Sequence, residues 1–164
     1  NLFYTATQQK SIDDIGEFTN GYAFMKFRNI KSDGMPGKEL GFVVTDFPMM
    51  RYADVLLMAA ECEKKGAPVD GYAGFNAVRA RAGLAPIASP SEQDILDERG
   101  RELYQECWRR NDLIRFGKFT SGYKWQWKGN VKEGQDVDAG RALFPIPDSD
   151  RLANSNLQQN EGYK

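Results

Sequence analysis

The sequence predicts a mainly α fold, built from tetratricopeptide-like helix pairs with long irregular loops and a little β structure. Apolar residues recur at helical spacing in three segments between residues 48 and 116. Glycine and proline separate these segments, and the regions on either side lack the same period. The chain has the length of one compact domain, so we expect residues 1–164 to form a single domain. It starts at Asn1 rather than Met, and we expect it to be a piece of a longer protein.

The first 47 residues predict the little β structure. Residues 21–30 (GYAFMKFRNI) and 40–47 (LGFVVTDF) read as two strands. Residues 32–39 (SDGMPGKE) are rich in turn formers and predict a hairpin or a long loop between them. Tyr22 and Phe24 fall on one side of the first strand, where they are further candidates for a ligand contact.

Two short antiparallel helices are predicted next. The first covers 48–65, with Asp46 as its cap and Pro48 in its first turn. The second covers 71–82 and is capped by Asp70. The length of the pair and its tight turn are typical of tetratricopeptide repeats. Small residues are expected where the two helices cross: Ala59, Ala60, Ala73 and Ala77.

A third helix is predicted over 90–116. Ser89 supplies a capping hydroxyl, Pro90 suits the first helical position, and Glu92 follows three residues after the cap. Its apolar members are Ile95, Leu96, Leu103, Cys107, Ile114 and Phe116. Trp108 is expected in the core. Regular structure then fades over 117–142, and the prolines of 143–147 (LFPIP) predict an extended tail.

The composition argues against several classes of partner. Lys and Arg total 22 against 23 Asp and Glu, with no basic stripe, so we expect no nucleic acid and no anionic lipid surface as partners. No apolar run is long enough to cross a membrane. The absence of His removes the usual general base and the commonest zinc ligand, and we expect neither a metal nor a cofactor.

Cys62 and Cys107 are the two cysteines, and both fall inside predicted helices. Two cysteines alone cannot make a structural zinc site. They would pair if their helices packed together, but buried unpaired thiols are the interpretation we favour.

Charged residues of the third helix share one face, because Glu98, Glu102, Glu106 and Arg109 follow spacings of four, four and three. Two carboxylates would suit the acid and the nucleophile of a glycosidase. A carboxylate metal site is a second interpretation, but the His of a di-iron motif is missing. We favour a structural ladder of ion pairs, because interleaved Arg residues oppose the raised pKa that a general acid needs. The ladder predicts Glu102 and Glu106 within salt-bridge distance of Arg residues, some from other helices.

Four motifs occur together in a fixed order. Residues 51–61 read RYADVLLMAAE, residues 76–84 read NAVRARAGL, and residues 95–118 read ILDERGRELYQECWRRNDLIRFGK. Residues 145–147 read PIP. The tail after them carries Asn154, Leu157, Gln159, Asn160, Gly162 and Tyr163. With these motifs the chain resembles the C-terminal portion of the SusD/RagB family, bacterial outer-membrane nutrient-binding lipoproteins.

The resemblance implies a SusD-like helical scaffold whose irregular loops bear the ligand site. It also implies a surface-exposed protein, held on the outer membrane by a lipid anchor that is missing from this chain. The implied partners are an oligosaccharide or another nutrient and a SusC-like TonB-dependent porin. The matched motifs belong to the scaffold, so the resemblance assigns no ligand contact to any residue.

The candidate ligand-binding residues are Tyr123, Trp125 and Trp127, which occupy alternate positions. In an extended chain they would share one face, with Lys124, Gln126 and Lys128 on the opposite, solvent-facing side. Such a strip either packs inward as a small core, which we favour, or offers a platform to a sugar or to the partner porin.

The function expected from the resemblance is glycan binding without catalysis, within an outer-membrane nutrient-uptake system. A helical-repeat adaptor that binds only proteins is the alternative. A glycoside hydrolase is a third hypothesis, but it lacks a convincing acid–base pair.

Overall fold

The computed structural model describes residues 8–22, 26–39, 41–43 and 46–163. They divide into two compact units. We call the part within Phe24–Asp112 the helical unit, and the part within Asn1–Ala23 and Leu113–Lys164 the loop unit. The described residues contain helices and 3₁₀ turns, with only isolated β-bridges. The mainly α prediction is therefore confirmed.

The helical unit contains a helix pair and a third helix. Its helices are α1 (Tyr52–Lys64), α2 (Gly71–Arg81) and α3 (Glu92–Glu102). A fourth helix, α4 (Arg109–Arg115), begins in this unit and ends in the loop unit. The side chains that form the core of the helical unit are Leu57, Ala60, Phe75, Val78, Ile95, Leu96 and Leu103. Trp108 is half-buried rather than part of this core.

The crossing of α1 and α2 depends on two glycines of α2. A Cβ added to Gly71 would lie 2.2 Å from the carbonyl oxygen of Ala59, and one added to Gly74 would lie 2.9 Å from a methyl carbon of Leu56. The predicted crossing positions on α1 are confirmed, because Ala59 and Ala60 meet Gly71 there. Those predicted on α2 are wrong, since Ala73 and Ala77 are exposed and the glycines allow the closer approach.

Two of the three predicted helix starts are displaced, whereas α2 begins at Gly71 after its predicted cap, Asp70. α1 begins after Arg51, whose extended backbone precedes the helix, and Asp46 does not cap it. α3 begins after Ser91, whose hydroxyl accepts from the amide of Asp94 while the Asp94 carboxylate accepts from the amide of Ser91. This capping box lies two residues later than the one predicted at Ser89, because Asp94 completes it and Glu92 does not.

The single helix predicted over 90–116 is wrong. The chain leaves the helix after Glu102, and Gln105 and Cys107 adopt left-handed φ values of 64° and 65°. In a continuous α-helix, the carbonyl of Glu102 would accept from the amide of Glu106. Here Lys26 Nζ and Arg51 Nη2 donate to this carbonyl instead, at 2.8 and 2.9 Å. The amide of Glu106 bonds instead to the carbonyl of Leu103. The break is thus a tertiary effect.

Among the described residues, the predicted strands are largely absent. The described members of 21–30 form one isolated antiparallel bridge, between Ile30 and Pro36, around a tight turn at 31–35. The described members of 40–47 form no strand. The remaining positions of both segments (23–25, 40 and 44–45), Phe24 among them, lie outside the described residues. Tyr22 is exposed.

Both cysteines are free and exposed, so the prediction of buried thiols is wrong. Cys62 lies on the outer face of α1, and Cys107 lies in the break between α3 and α4. Cys62 is therefore exposed by its position on the helix surface, and Cys107 by the break between the helices.

The loop unit is organised by turns and by its own tail. It contains 3₁₀ turns at Lys128–Asn130 and Ala139–Ala142 and the short helix α5 (Asp148–Ala153). Leu143 and Pro147 have extended φ/ψ values, as predicted for the tail. The side chain of Gln159 bonds both the amide and the carbonyl of Ile146, and Tyr163 donates to the carbonyl of Leu143. Two residues of the tail motif therefore act by holding this extended segment.

Candidate ligand site

A cavity of about 630 Å³ opens in the loop unit, entirely between residues 119 and 141. This volume lies within the range typical of small-molecule sites. Its lining combines two aromatic rings with amide and charged side chains. The lining residues are Phe119, Trp125, Lys128, Gly129, Asn130, Gln135, Asp136, Val137, Asp138 and Arg141.

The aromatic wall of the cavity centres on Trp125. Its ring centroid lies 6.3 Å from that of Phe119 and 6.4 Å from that of Tyr123, in tilted arrangements. Trp125 nevertheless remains 40% exposed, so the expectation that it packs as core is wrong. Of the three aromatic residues predicted as candidates, it is the one that lines the cavity.

Lys128 forms the buried base of this wall. Its side chain is 2% exposed, and its ammonium donates to the carbonyl of Tyr123 at 2.6 Å. The same nitrogen lies 4.8 Å from the centroid of the Trp125 ring and 3.8 Å from Asp136 Oδ1. The prediction that Lys128 belongs to a solvent-facing side is wrong. Its charge instead holds a backbone segment, an indole and a carboxylate together.

The extended strip predicted over 123–128 is also not found. Trp127 has a left-handed φ of 66°, and the amide of Lys128 bonds to the carbonyl of Trp125 in a turn. Trp127 is half-buried, and its indole N–H donates to the carbonyl of Ile12 at 2.8 Å. The turn gives the two tryptophans different surroundings: Trp125 lines the cavity, while Trp127 anchors the loop.

Further bonds join the loop at 125–132 to residues 11–13. The amide of Ile12 donates to Gln126 Oε1 at 3.1 Å, and Lys132 Nζ lies 2.8 Å from Asp13 Oδ1. The hydrogen bond from Lys132, helped by one from Ser11, lowers the pKa of Asp13. The hydrogen bond to Asp13 raises the pKa of Lys132. Three contacts therefore anchor the loop that carries Trp125. They are made by the indole of Trp127, the side-chain amide of Gln126 and the ion pair of Lys132 with Asp13.

The polar side of the cavity is also organised. Asp138 accepts from the amide of Gly140 at 2.8 Å and caps the second 3₁₀ turn. Gln135 donates to the carbonyl of Gly129 at 3.0 Å. The guanidinium of Arg141 lies 4.9 Å from the centroid of the Tyr163 ring. Sequence patterns did not indicate these residues, because they belong to the cavity only through the turns between them.

The acidic residues of the segment predicted as a third helix form an ion-pair cluster in the helical unit. Arg51 reaches Glu102 Oε1 at 2.9 Å and bonds the Glu106 carboxylate through Nε and Nη2. Arg81 also pairs with Glu102, at 2.6 Å, and Lys26 pairs with Glu106. The ladder prediction is confirmed for both glutamates, with partners from outside α3.

The electrostatics of this cluster oppose acid catalysis. Burial by itself raises the pKa of Glu106, but hydrogen bonds from Arg51 and Lys26 outweigh it, so this pKa lies below its ordinary value. The bond to Glu106 raises the pKa of Arg51 in turn. A general acid needs a carboxyl that keeps its proton near neutral pH. Glu106 is therefore unsuited to that role.

A second set of charges is deeply buried. Arg99, which is 2% exposed, bonds Asp54 of α1 at 2.7 Å and Asp112 of α4 at 2.9 Å. Glu98 pairs with Arg79 at 2.8 Å. Across the described ranges, no group of three metal-ligating side chains is suitably placed to hold an ion. In the same ranges, no helix is long and apolar enough to cross a membrane.

Comparison with known proteins relates the whole chain to one family. The family model described as SusD family matches residues 1–163. The curated Starch-binding protein SusD of Bacteroides thetaiotaomicron is 40% identical over 155 residues, which are 93% of this chain and 28% of that protein. The curated SusD-like protein P25 of Formosa agariphila is 42% identical over 82 residues, which are 42% of this chain and 15% of that protein.

Solved structures share the architecture. A SusD superfamily protein from Parabacteroides distasonis aligns with a TM-score of 0.63 at 29% identity, covering 92% of this chain and 35% of that one. Surface glycan-binding protein A from Bacteroides thetaiotaomicron aligns with a TM-score of 0.63 at 25% identity, covering 87% of this chain and 29% of that one. The chain thus spans about a third or less of the length of these relatives.

Proposed function

The chain belongs to the SusD family, and from that membership we propose that its protein is the glycan-binding, non-catalytic component of a bacterial outer-membrane nutrient-uptake system. The observation that carries the proposal is the 40% identity to Starch-binding protein SusD across 93% of this chain. A solved relative with the same architecture is a surface glycan-binding protein. The ligand class is an oligosaccharide, and starch fragments are the first to test.

The partner and the location follow from the same membership. The protein would sit on the outer surface of the outer membrane, held there by a lipid anchor. A SusC-like TonB-dependent porin would receive the glycan from it. These parts of the proposal concern the whole protein, of which this chain covers a minor share when measured against its relatives.

The charge arrangement supports a binding role over hydrolysis. Glu102 and Glu106 each contact two cationic side chains, and Asp54 and Asp112 share Arg99. Among these carboxylates, Glu106 has a pKa below its ordinary value, so it is unsuited to supply the proton that glycoside cleavage requires. Within the described residues, these pairs tie helices together.

A protein-only adaptor remains the second candidate function, because helical repeats often present a binding surface to another protein. The exposed apolar residues that precede and begin α1, such as Met49, Met50 and Tyr52, favour such a surface. The adaptor hypothesis predicts association with the porin and no heat of binding with any oligosaccharide.

Calorimetry on the full-length protein tests the proposal. Maltohexaose, cellohexaose and xylohexaose serve as neutral probes, and an oligogalacturonate of similar length serves as the acidic one. We expect saturable binding of at least one oligosaccharide, with no shorter products by anion-exchange chromatography after prolonged incubation. Absence of binding across a broad oligosaccharide panel would overturn glycan capture, and release of shorter products above a buffer control would overturn the non-catalytic assignment.

A further inference from the structure

We infer that the cavity of the loop unit is a saccharide subsite carried by this chain, in which a neutral sugar ring stacks on the indole of Trp125. The inference rests on the proposed function and gives it a location and a ligand class. It assigns Trp125 as the contact residue among the three predicted candidates, with Tyr123 and Trp127 positioning it.

The first argument is that Trp125 is held in place and yet open. Phe119 and Tyr123 lie beside its ring, and the Lys128 ammonium lies 4.8 Å from its centroid. Its loop is anchored by the indole N–H bond of Trp127 to Ile12. A large apolar side chain fixed by so many contacts would normally be covered, but this one is 40% exposed and borders a cavity. A ring held in one orientation reduces the entropy lost when a ligand binds.

The second argument is the match between the lining and the two surfaces of a sugar. A pyranose offers an apolar face of C–H groups and a rim of hydroxyl groups. The indole suits the apolar face. The carboxylates of Asp136 and Asp138 and the amides of Asn130 and Gln135 line the same cavity, where they suit the hydroxyl groups.

The third argument, from charge, favours a neutral ligand. The lining carries two cations, Lys128 and Arg141, and two carboxylates, Asp136 and Asp138, so its formal charges cancel. Lys128 is already engaged by the Tyr123 carbonyl and by Asp136, and Arg141 by the Tyr163 ring. An acidic sugar would meet both carboxylates without gaining an uncommitted cation. A uronic acid or a sulfated sugar is therefore disfavoured.

Hydrogen exchange with mass spectrometry locates the subsite, because it reports protection segment by segment even if the full-length protein binds glycan elsewhere. We expect the neutral oligosaccharide identified by calorimetry to protect peptides within 119–141. The oligogalacturonate should give no protection there at the same concentration. With Trp125→Ala, about tenfold more ligand should be needed to reach the same protection, a change equivalent to about 1.4 kcal/mol in binding free energy.

Two further variants make the test specific. Tyr52→Ala is the matched control, because it removes an aromatic side chain that is 76% exposed in the helical unit. It should leave the protection of 119–141 unchanged. The double variant Asp136→Asn with Asp138→Asn replaces two carboxylates by isosteric amides and leaves the lining cationic. This variant should begin to bind the oligogalacturonate.

The outcomes separate this inference from the proposed function. If an oligosaccharide binds the protein but protects only peptides outside 119–141, the subsite is wrong and the glycan-binding function stands. If the acidic ligand protects 119–141 as well as the neutral one, the ligand class is wrong. If Trp125→Ala still folds, by circular dichroism, and keeps full protection, the stacking role is wrong. If no oligosaccharide protects any peptide, the proposed function fails together with the subsite.

Discussion

The helical unit and the loop unit use charged and aromatic side chains in opposite ways. In the helical unit, carboxylates that lie near one another in the sequence are largely buried and paired with cations, as Glu102 and Glu106 are with Arg51. In the loop unit, a buried cation, Lys128, supports an aromatic ring that remains open to a cavity. The cluster of acidic residues that resembles an active site is therefore structural. The proposed sugar subsite lies within 119–141, where the sequence predicts no regular secondary structure.

The largest expected effect comes from breaking the buried ion pairs of the helical unit. Arg99→Ala leaves two carboxylates buried without their cation, and we expect a loss of about 3–5 kcal/mol in the free energy of unfolding. Arg101→Ala is the matched control, because Arg101 is half exposed and Glu98 keeps its bond to Arg79. That control should cost less than about 1 kcal/mol. Urea denaturation followed by circular dichroism measures both, and equal losses would show that burial of the pair is irrelevant.

The next effect concerns Glu106, whose carboxylate accepts bonds from Arg51 and Lys26. Glu106→Gln should lower the free energy of unfolding at neutral pH by about 1.5–3 kcal/mol, because charge-assisted bonds are lost. Saccharide affinity should not change, since this residue does not line the cavity. A loss of affinity without a loss of stability would instead place Glu106 in a binding site.

The same variant has a pH signature with a definite sign. The pKa of Glu106 in the fold lies below its ordinary value of 4.5. Its ionised form is therefore favoured by folding, and this contribution is fully present well above pH 4.5 and is lost as the pH falls through the lowered value. The difference in melting temperature between wild type and Glu106→Gln should shrink on acidification below about pH 4.5. A difference that grows under these conditions would contradict the assignment.

At the crossing of α1 and α2, the expected loss of stability is similar or smaller. In Gly71→Ala the new methyl group would lie 2.2 Å from the Ala59 carbonyl, so α1 and α2 must move apart. We expect a loss of about 1–3 kcal/mol, as for other overpacked cores. Gly41→Ala serves as the control, because a Cβ added at Gly41 meets nothing within 4 Å. A fully stable Gly71→Ala protein would show that the crossing tolerates a wider separation.

The smallest stability effect separates the two tryptophans of the loop unit. Trp127→Phe keeps an aromatic ring but removes the N–H that bonds the Ile12 carbonyl, at a cost of about 1 kcal/mol. Trp125→Phe should cost less in stability, because among the described residues no comparable bond of the Trp125 indole is found and its ring is more exposed. Hydrogen exchange at 8–20 measures the difference, since only the Trp127 change should loosen that segment. Equal loosening by both changes would mean that Trp125 is an anchor as well.

The residues that matched expectation are those governed by near neighbours in the chain. The helix α2 with its Asp70 cap and the extended tail at 143–147 follow from apolar spacing, end signals and proline. These effects act over a few residues, so a pattern in the sequence is enough to detect them. The family motifs are readable as well, although Gln159 and Tyr163 hold the segment around the PIP sequence across separations of 13 and 20 residues.

Distant partners and the turn after Trp125 decided the rest. The helix predicted over 90–116 breaks because Lys26 and Arg51, far away in the sequence, take the carbonyl of Glu102. Lys128 is buried because the turn after Trp125 brings its ammonium to the Tyr123 carbonyl, where the hydrogen bond and the nearby indole and Asp136 offset the desolvation of the charge. Local sequence thus specified the first two helices and the family, whereas the turn after Trp125 and the bond from Trp127 to Ile12 decided which tryptophan lines the cavity and which one anchors the loop.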